Sequence, residues 1–172
     1  MTPEEIIASA LDLSLSTSDG KTPESWNCAL FFWTDQSRHF YFVSSCDSRH
    51  MKNISKNPEV SVAIFHSKAR QGIQFKGTGK ILNEYNEIQK AIYWGLIKRF
   101  PESKVTIAQK RLEYEQTNRK IVQIEVGKEG IFMNKRIPSD ANGNPEFYVD
   151  VRVKVDIPKD IHLISYTKLS KI

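Results

Sequence analysis

The stretch SSCDSRHMKNISKNP, residues 44–58, follows the strongly apolar run FYFV and changes character at once. Two serines end a strand-like segment, a short acidic turn follows, and four basic side chains then crowd together: Arg49, His50, Lys52 and Lys56. Asp47 or Ser48 can cap a helix that begins near Arg49, and Pro58 would end it. The stretch therefore predicts a strand that leads into a short helix, with hydroxyl and basic groups at the junction.

This junction has the donors that bind a phosphate monoester. A helix start exposes unpaired backbone N–H groups and the positive end of the helix dipole. Ser44 and Ser45 add hydroxyls, Arg49 adds a guanidinium that can bind two oxygens at once, and His50 adds an imidazole. Each charge-assisted bond of this kind contributes about 1.5–3 kcal/mol. The same residues also fit a solvated basic helix face, so both interpretations stay open on local sequence alone.

The composition limits the function classes. The chain has 172 residues, enough for one domain with a real core. Its net charge of +5 comes from Lys and Arg spread along the chain, which is typical of a solvated surface. Cys28 and Cys46 are the only cysteines and have no metal-type spacing, so we expect free thiols and no metal site. Without a leader-like start or a membrane-length apolar run, the prediction is a cytoplasmic protein.

The hydrophobic pattern predicts a mostly β protein with outer helices. Thr2-Pro3-Glu4-Glu5 predicts a helix over residues 3–11 with Ile6, Ile7, Ala10 and Leu11 on one face. Strand-like segments follow, most joined by tight turns such as Asp19-Gly20. They are LSLSTS, WNCALFFW, HFYFVSS, VSVAIFHS, GIQFKGTGKIL, KIVQIEV, GIFMN and FYVDVRVKVD. About seven strands at this spacing indicate an antiparallel barrel in a single domain, residues 1–172.

The second half of the chain is less regular. Residues 83–100 have helical spacing and end before Pro101, whereas residues 103–117 are polar and ambiguous between helix and loop. GIFMN is a candidate to pair with KIVQIEV, residues 120–126. SDANGNPE, residues 139–146, predicts an exposed turn, and the strands and tail from residue 128 onward have no assigned role beyond closing the barrel or shaping a cleft.

Residues 12–101 resemble the FMN-binding split barrels related to pyridoxamine 5′-phosphate oxidase. The order of parts carries the likeness: a strand, the turn SDGKTP, WNCALFFW, FYFVSS, DSRHMKNISKNPEVSVAIF, GIQFKGTGKIL and a helix ending in RFP. The most specific piece runs from Ser48-Arg49-His50 through Asn57-Pro58 to Val62. The pairing of RH with GIQFKG is similar to a small bacterial branch of that family whose activity is unassigned.

The resemblance implies a six-stranded antiparallel split β-barrel that works as a homodimer, with FMN in a cleft between subunits. Arg49 and His50 would meet the FMN phosphate, and Ser44 and Ser48 would add hydroxyls. The ring or ribityl chain would lie along four residues of the aromatic strand: Asn27, Cys28, Ala29 and Leu30. Gln74 and Lys76 are candidates to stabilise charge at the flavin ring.

The sequence also departs from the family pattern. Gly72 stands where the oxidase has a flavin-contacting Gln, so either Gln71 or Gln74 would take that role. His50 stands where relatives often have Lys, which predicts a phosphate affinity that varies with pH. No C-terminal Arg-x-His arrangement is present, which argues against the vitamin B6 reaction.

Three functions remain at this point. The first is an FMN-dependent oxidoreductase of the flavin-reductase type, which passes electrons from NAD(P)H to a small acceptor. The second is a noncatalytic module that stores, senses or hands on FMN. The third is a basic barrel that binds single-stranded nucleic acid; it ranks last because the aromatic residues fall in apolar runs and do not alternate with Lys and Arg. No membrane partner is expected.

Overall fold

We analysed a computed structural model, which describes residues 1–138 and 148–157. The helices are α1 Pro3–Ser9, α2 Arg49–Lys56, α3 Tyr85–Trp94 and α4 Ile107–Gln116, and a π-helical turn, Gly95–Arg99, extends α3. The strands are β1 Asp12–Ser18, β2 Ser25–Phe31, β3 Trp33–Thr34, β4 Phe40–Ser45, β5 Glu59–His66, β6 Gln71–Ile81, β7 Arg119–Pro138 and β8 Tyr148–Val155. Every helix in this described part is too short or too polar to pass through a lipid bilayer.

All strands belong to one antiparallel, eight-stranded sheet. Its order is β2-β1-β5-β6-β7-β4-β3, with β8 paired to β7 outside this path. The two edge strands, β2 and β3, are separated in the chain only by Phe32, so one stretch supplies both ends of the sheet and the sheet curls onto itself. The interrupted strand β2/β3, together with β1, β4, β5, β6 and β7, forms the predicted six-stranded split barrel. The predicted fold class is confirmed.

The core follows the alternation that the sequence shows. In β5 every second side chain is buried, and in β6 the buried face includes Ile73 and Phe75, as predicted. Most of the apolar aromatic runs are also core, because Phe32, Phe40 and Phe42 are fully buried. Burial of each such side chain contributes about 1.5–3 kcal/mol. Helix α2 packs Met51 and Ile54 inward against this barrel.

Strand β7 corrects one expectation. Residues 120–126 and GIFMN do not pair with each other; they are two halves of one strand of 20 residues. Both halves pair with β6: Phe75 lies opposite Ile131, whereas Gly77 lies opposite Val126, so β7 bulges between them. Gly130 has a φ of +83°, which suits glycine in this bulge. The segment between the halves looked like a hairpin turn, but the 11 residues of β6 offer partners to both sides of it.

Other boundaries differ by a few residues. Helix α1 begins with the predicted capping box but ends at Ser9, and Leu11 is 39% exposed beyond it. The ambiguous residues 103–117 contain a helix, α4. In β8 the valines at 151, 153 and 155 are half-buried and alternate with exposed polar residues, as predicted. The turn predicted at residues 139–146, Phe147 and the tail from residue 158 lie outside the described residues.

A buried arginine joins α1 to the barrel. Arg99 is 0% exposed and donates from Nη2 to the carbonyl oxygens of Ala10 and Leu11, the latter at 3.0 Å. Its guanidinium also lies 5.5 Å from the centre of the Phe32 ring. The charge is therefore matched by the carbonyls that follow the end of α1 and by an aromatic face.

A buried carboxylate fixes the turn between β3 and β4. Asp35 Oδ1 accepts hydrogen bonds from the backbone N–H groups of Ser37 and His39, at 2.8 and 3.0 Å. Its Oδ2 lies 3.0 Å from His39 Nδ1 and 2.9 Å from the Tyr41 hydroxyl, with Lys90 of α3 at 3.6 Å. Burial alone would raise the pKa of Asp35, but the hydrogen bonds from His39 and Tyr41 together hold it below its ordinary value. The carboxylate thus ties the turn to α3.

Replacing this carboxylate should destabilise the fold. In Asp35→Asn one oxygen becomes an N–H group that faces the donors of His39 and Tyr41, so a loss of about 2–4 kcal/mol is expected. Urea unfolding followed by circular dichroism measures it. Gln36→Ala, the exposed neighbouring position, serves as the control and should stay within about 0.5 kcal/mol of wild type. Equal stability of Asp35→Asn and wild type would contradict a structural role for this network.

Candidate functional site

The predicted phosphate residues sit where β4 leads into α2. Strand β4 ends at Ser45, and α2 begins at Arg49 after Ser48 in the N-cap position. The Ser48 hydroxyl makes no hydrogen bond to a helix N–H; it donates instead to the Ser45 carbonyl oxygen at 2.8 Å. No acidic side chain lies in the first turn. The first N–H groups of α2 therefore lack the usual side-chain cap and suit an anion.

Four side chains meet beside this helix start, and we call them the β4–α2 corner: Ser44, Ser48, His50 and Cys28. His50 Nε2 lies 2.7 Å from Ser44 Oγ and 3.1 Å from Ser48 Oγ, and the two hydroxyl oxygens are 3.3 Å apart. On its other side, His50 Nδ1 lies 3.5 Å from the Cys28 thiol. The structure thus brings together three of the predicted phosphate residues and one residue predicted to line the flavin.

The corner is electrically neutral near pH 7. His50 is only 6% exposed, and this burial lowers the pKa of its imidazole. Burial likewise raises the pKa of the Cys28 thiol. An uncharged imidazole offers one N–H donor and one acceptor, so His50 acts here through hydrogen bonds and not through a fixed positive charge.

Arg49 points away from the corner. Its guanidinium pairs with Glu24 in the β1–β2 loop and lies 5.0 Å from the centre of the Trp26 ring. The Arg49 side chain is 47% exposed and that of Glu24 is 69% exposed, so this ion pair is solvated and weak. The one predicted phosphate ligand with a permanent charge is therefore held by a carboxylate that the sequence analysis did not identify.

A cavity of about 580 Å³ lies at the split of the barrel, between β2 and β4. Two predicted flavin contacts, Ala29 and Leu30, line it on one side, and Val43 lines it next to Ser44 of the corner. Lys110 and Tyr114 of α4 and Arg119 at the start of β7 also line it, and Arg119 lies opposite Ser45 in the sheet. Burial raises the pKa of Tyr114 to about 12, so this phenol stays protonated. The cavity is within the range of small-molecule sites.

The remaining predicted ligands lie elsewhere. Asn27, Gln74 and Lys76 line a second cavity of about 460 Å³ on the outer face of β1, β5 and β6. Asn27 is hydrogen-bonded to the hydroxyls of Ser14 and Ser16, each at 2.8 Å. Gln74 Nε2 donates to Asn134 at 3.3 Å, and Lys76 lies 3.7 Å from Glu129. Within one chain these residues do not join the β4–α2 corner.

Gly72 explains one departure from the family pattern. A Cβ atom at this position would lie 2.9 Å from the Ile64 carbonyl oxygen, so a glutamine does not fit without a shift of the strand. Gln71, one of the two proposed substitutes, accepts a hydrogen bond from the amino group of Met1 at 3.0 Å. The other proposed substitute, Gln74, lines the cavity on the outer face of β1, β5 and β6.

Sequence reasoning missed the residues that surround the predicted ones. Glu24 and Trp26, which contact Arg49, lie in the β1–β2 loop and near the start of β2, and no local pattern predicts that either residue contacts Arg49. Two residues that line the split cavity, Lys110 and Tyr114, lie on α4, a segment whose sequence is ambiguous between helix and loop. The box Thr106-Ile-Ala-Gln109 was a usable signal for α4, because both of its capping hydrogen bonds form in the structure.

Comparisons with known proteins agree with this fold. No family model and no curated protein matches the chain. Among solved structures, the heme storage protein HutZ from Vibrio cholerae is 17% identical with a TM-score of 0.60, over 75% of this chain and 89% of that chain. A putative 5-nitroimidazole antibiotic resistance protein from Bacteroides thetaiotaomicron is 12% identical with a TM-score of 0.56, over 76% of this chain and 80% of the other.

A third similar structure is a protein of unknown function from Agrobacterium tumefaciens, 14% identical with a TM-score of 0.60. The match covers 77% of this chain and 54% of that longer chain, so this protein spans about half the length of that relative. At these identities the likeness establishes the split-barrel fold and no activity.

The buried His50 should make stability depend on pH. As the pH falls below 6.5, the unfolded imidazole binds a proton that the folded one binds only at lower pH, so the free energy of unfolding should fall. For one such group the slope approaches about 1.4 kcal/mol per pH unit at most. Denaturant unfolding in steps between about pH 8 and about pH 5 measures it.

His50→Gln should lose this slope, because glutamine keeps a donor near Ser44 but does not titrate. His66→Gln, at the end of β5, is the matched control and should retain it. An unchanged slope in His50→Gln would show that another group is responsible.

Proposed function

We propose that this protein is a cytoplasmic FMN-binding flavoprotein of the pyridoxamine-phosphate-oxidase-like superfamily that acts as an NAD(P)H-dependent oxidoreductase. The observation that carries the proposal is the meeting of Ser44, Ser48 and His50 within hydrogen-bonding distance at an uncapped helix start. This donor set fits a phosphate, since it combines hydroxyls, an imidazole and backbone N–H groups.

The flavin ring would extend from the corner into the split cavity. Val43 of β4 lines that cavity, and so does Arg119, which lies opposite Ser45 in the sheet, so the cavity adjoins the strand end that carries the corner. Ala29 and Leu30 would provide an apolar wall for the ring. Arg119 lines the cavity and would favour an acceptor or a nicotinamide dinucleotide that carries negative charge, whereas Lys110 also lines it but is paired with Glu113 at 2.7 Å.

A homodimer would complete the site. Asn27, Gln74 and Lys76 face a different cavity of the same chain, so they would reach the flavin only if a second copy placed its outer face against the corner. Those residues would then supply polar contacts to the ring edge. A soluble monomer with full FMN occupancy would contradict this arrangement.

The flavin itself supplies the hydride chemistry when it is bound, and the protein supplies binding and orientation. Ser44 and the α2 N–H groups would hold the phosphate, and the walls of the split cavity would exclude water from the ring. The vitamin B6 oxidation is not proposed, because the C-terminal Arg-x-His arrangement is missing from the sequence.

The second candidate function is noncatalytic storage or transfer of FMN. It is supported by the fold likeness to a protein described as a heme storage protein, which shows that such a barrel can serve storage. Heme itself suits the split cavity less well. Among the described residues that line this cavity there is no His, Cys or Met to bind an iron axially, and burial keeps the phenol of Tyr114, the one other side chain of an axial-ligand type there, protonated.

Two substitutions with opposite expected effects on FMN affinity test whether Arg49 binds the phosphate. Arg49→Ala should weaken FMN binding about 10- to 100-fold, since a charge-assisted bond is lost. Glu24→Gln should tighten it about 2- to 5-fold, because the carboxylate no longer competes with the phosphate for Arg49. Titration of the purified apoprotein with FMN, followed by flavin fluorescence, measures both changes.

Lys52→Ala is the matched control, because Lys52 is an exposed base on the same helix and should leave affinity nearly unchanged. Riboflavin, which lacks the phosphate, should bind all variants equally. If Arg49→Ala binds FMN as tightly as wild type, Arg49 does not bind the phosphate.

A reduction assay separates the enzyme from the carrier. The yellow holoprotein, mixed with NADH or NADPH without oxygen, should lose its flavin absorbance within seconds if it is an oxidoreductase. Adding an electron acceptor should then restore the colour over many cycles. A holoprotein whose colour persists for hours with either nucleotide would support storage instead.

A further inference from the structure

The hydrogen bonds of the β4–α2 corner allow two arrangements of their protons. His50 is a neutral imidazole with a single N–H, yet both of its nitrogens have close partners: hydroxyls at Nε2 and a thiol at Nδ1. The nitrogen that carries the proton therefore decides whether the Ser44 hydroxyl donates a hydrogen bond to the imidazole or accepts one from it.

The Ser48 hydroxyl proton already has an acceptor. Ser48 donates to the Ser45 carbonyl oxygen at 2.8 Å, so Ser48 Oγ acts as an acceptor toward its other neighbours. The Ser44 proton has two destinations. If His50 Nε2 is unprotonated, Ser44 must donate to it across 2.7 Å; if Nε2 carries the proton, Ser44 accepts and its own proton is available to another acceptor.

Cys28 decides between these states. Its sulfur lies 3.5 Å from His50 Nδ1 and 3.9 Å from the Leu15 carbonyl oxygen, so the imidazole nitrogen is the nearer acceptor for the thiol proton. Burial raises the pKa of Cys28, which keeps that proton on the sulfur. A thiol that donates its proton to the ring requires Nδ1 to be the unprotonated nitrogen.

We propose that the Cys28 thiol donates to His50 Nδ1 and thereby holds the imidazole as its Nε2–H tautomer, which frees the Ser44 hydroxyl proton for an anionic ligand. Cys28 and His50 are then positioning residues, and Ser44 is the residue that touches the ligand. The identity of that ligand, the FMN phosphate, rests on the proposed function; the tautomer does not.

Nuclear magnetic resonance of the apoprotein tests the tautomer directly. With nitrogen-15 histidine at about pH 8, His50 should show a protonated Nε2 and an unprotonated Nδ1, and His50→Gln identifies its signals. Cys28→Ala should lose this preference, whereas Cys28→Ser, which keeps a donor, should retain it. A wild-type His50 with the proton on Nδ1, or an unchanged tautomer in Cys28→Ala, would overturn the proposal.

Affinity then tests the link to the ligand. Cys28→Ala should weaken FMN binding about 3- to 10-fold, Cys28→Ser should restore it, and riboflavin binding should not change. In a Ser44→Ala background, Cys28→Ala should have no further effect, because it acts through Ser44. If the losses of FMN affinity caused by Ser44→Ala and Cys28→Ala add, Cys28 does not act through Ser44, and the proposal is overturned. A protein that binds no FMN would refute the proposed function, while the tautomer measurement would still decide this proposal.

Discussion

The closure of the barrel depends on a single constraint: one stretch of chain carries both edges of the sheet. Strands β2 and β3 lie at opposite ends of the strand order, yet only Phe32 separates them. The curl that brings these ends together buries Phe32 completely. Because β2 pairs with β1 and β4 pairs with β3 and β7, the ring remains open between β2 and β4, and that opening is the split cavity. The candidate site is therefore a consequence of how the sheet closes.

The chemistry of the site follows from its position at the end of β4. Strand β4 ends inside the barrel, so Ser44 lies at the interior. Helix α2 begins directly afterwards, and its His50 lies within hydrogen-bonding distance of Ser44. Burial makes the imidazole neutral, so the corner recognises an anion through oriented dipoles, while permanent charge stays at the exposed rim with Arg49. A buried cation at this position would carry a large desolvation cost in the absence of ligand.

Much of this could be predicted from sequence because it depends on local periodicity. The alternation in β6 predicts its buried face, and the segment from Ser44 to Pro58 predicts the strand–helix junction. What could not be predicted depends on distant partners. Local sequence alone does not distinguish the bulge in β7 from a hairpin turn, because the difference depends on the length of its partner β6. The ion pair between Glu24 and Arg49 joins residues that are 25 positions apart in the chain. Local sequence leaves His50 open between a phosphate ligand and a solvated basic face, because no local pattern shows that Ser44 and Cys28 approach it.

The buried Arg99 has a consequence for how such chains can diverge. A guanidinium keeps its proton under all ordinary conditions, so a fold that encloses one must always supply oxygen acceptors. Here the acceptors are main-chain carbonyls that follow α1, nearly ninety positions earlier. Main-chain groups are insensitive to the identity of the side chains at those positions. The exposed side chain at residue 11 can therefore vary without loss of an acceptor, but a related sequence that shortened or discarded the opening helix would remove these carbonyls from the enclosed guanidinium.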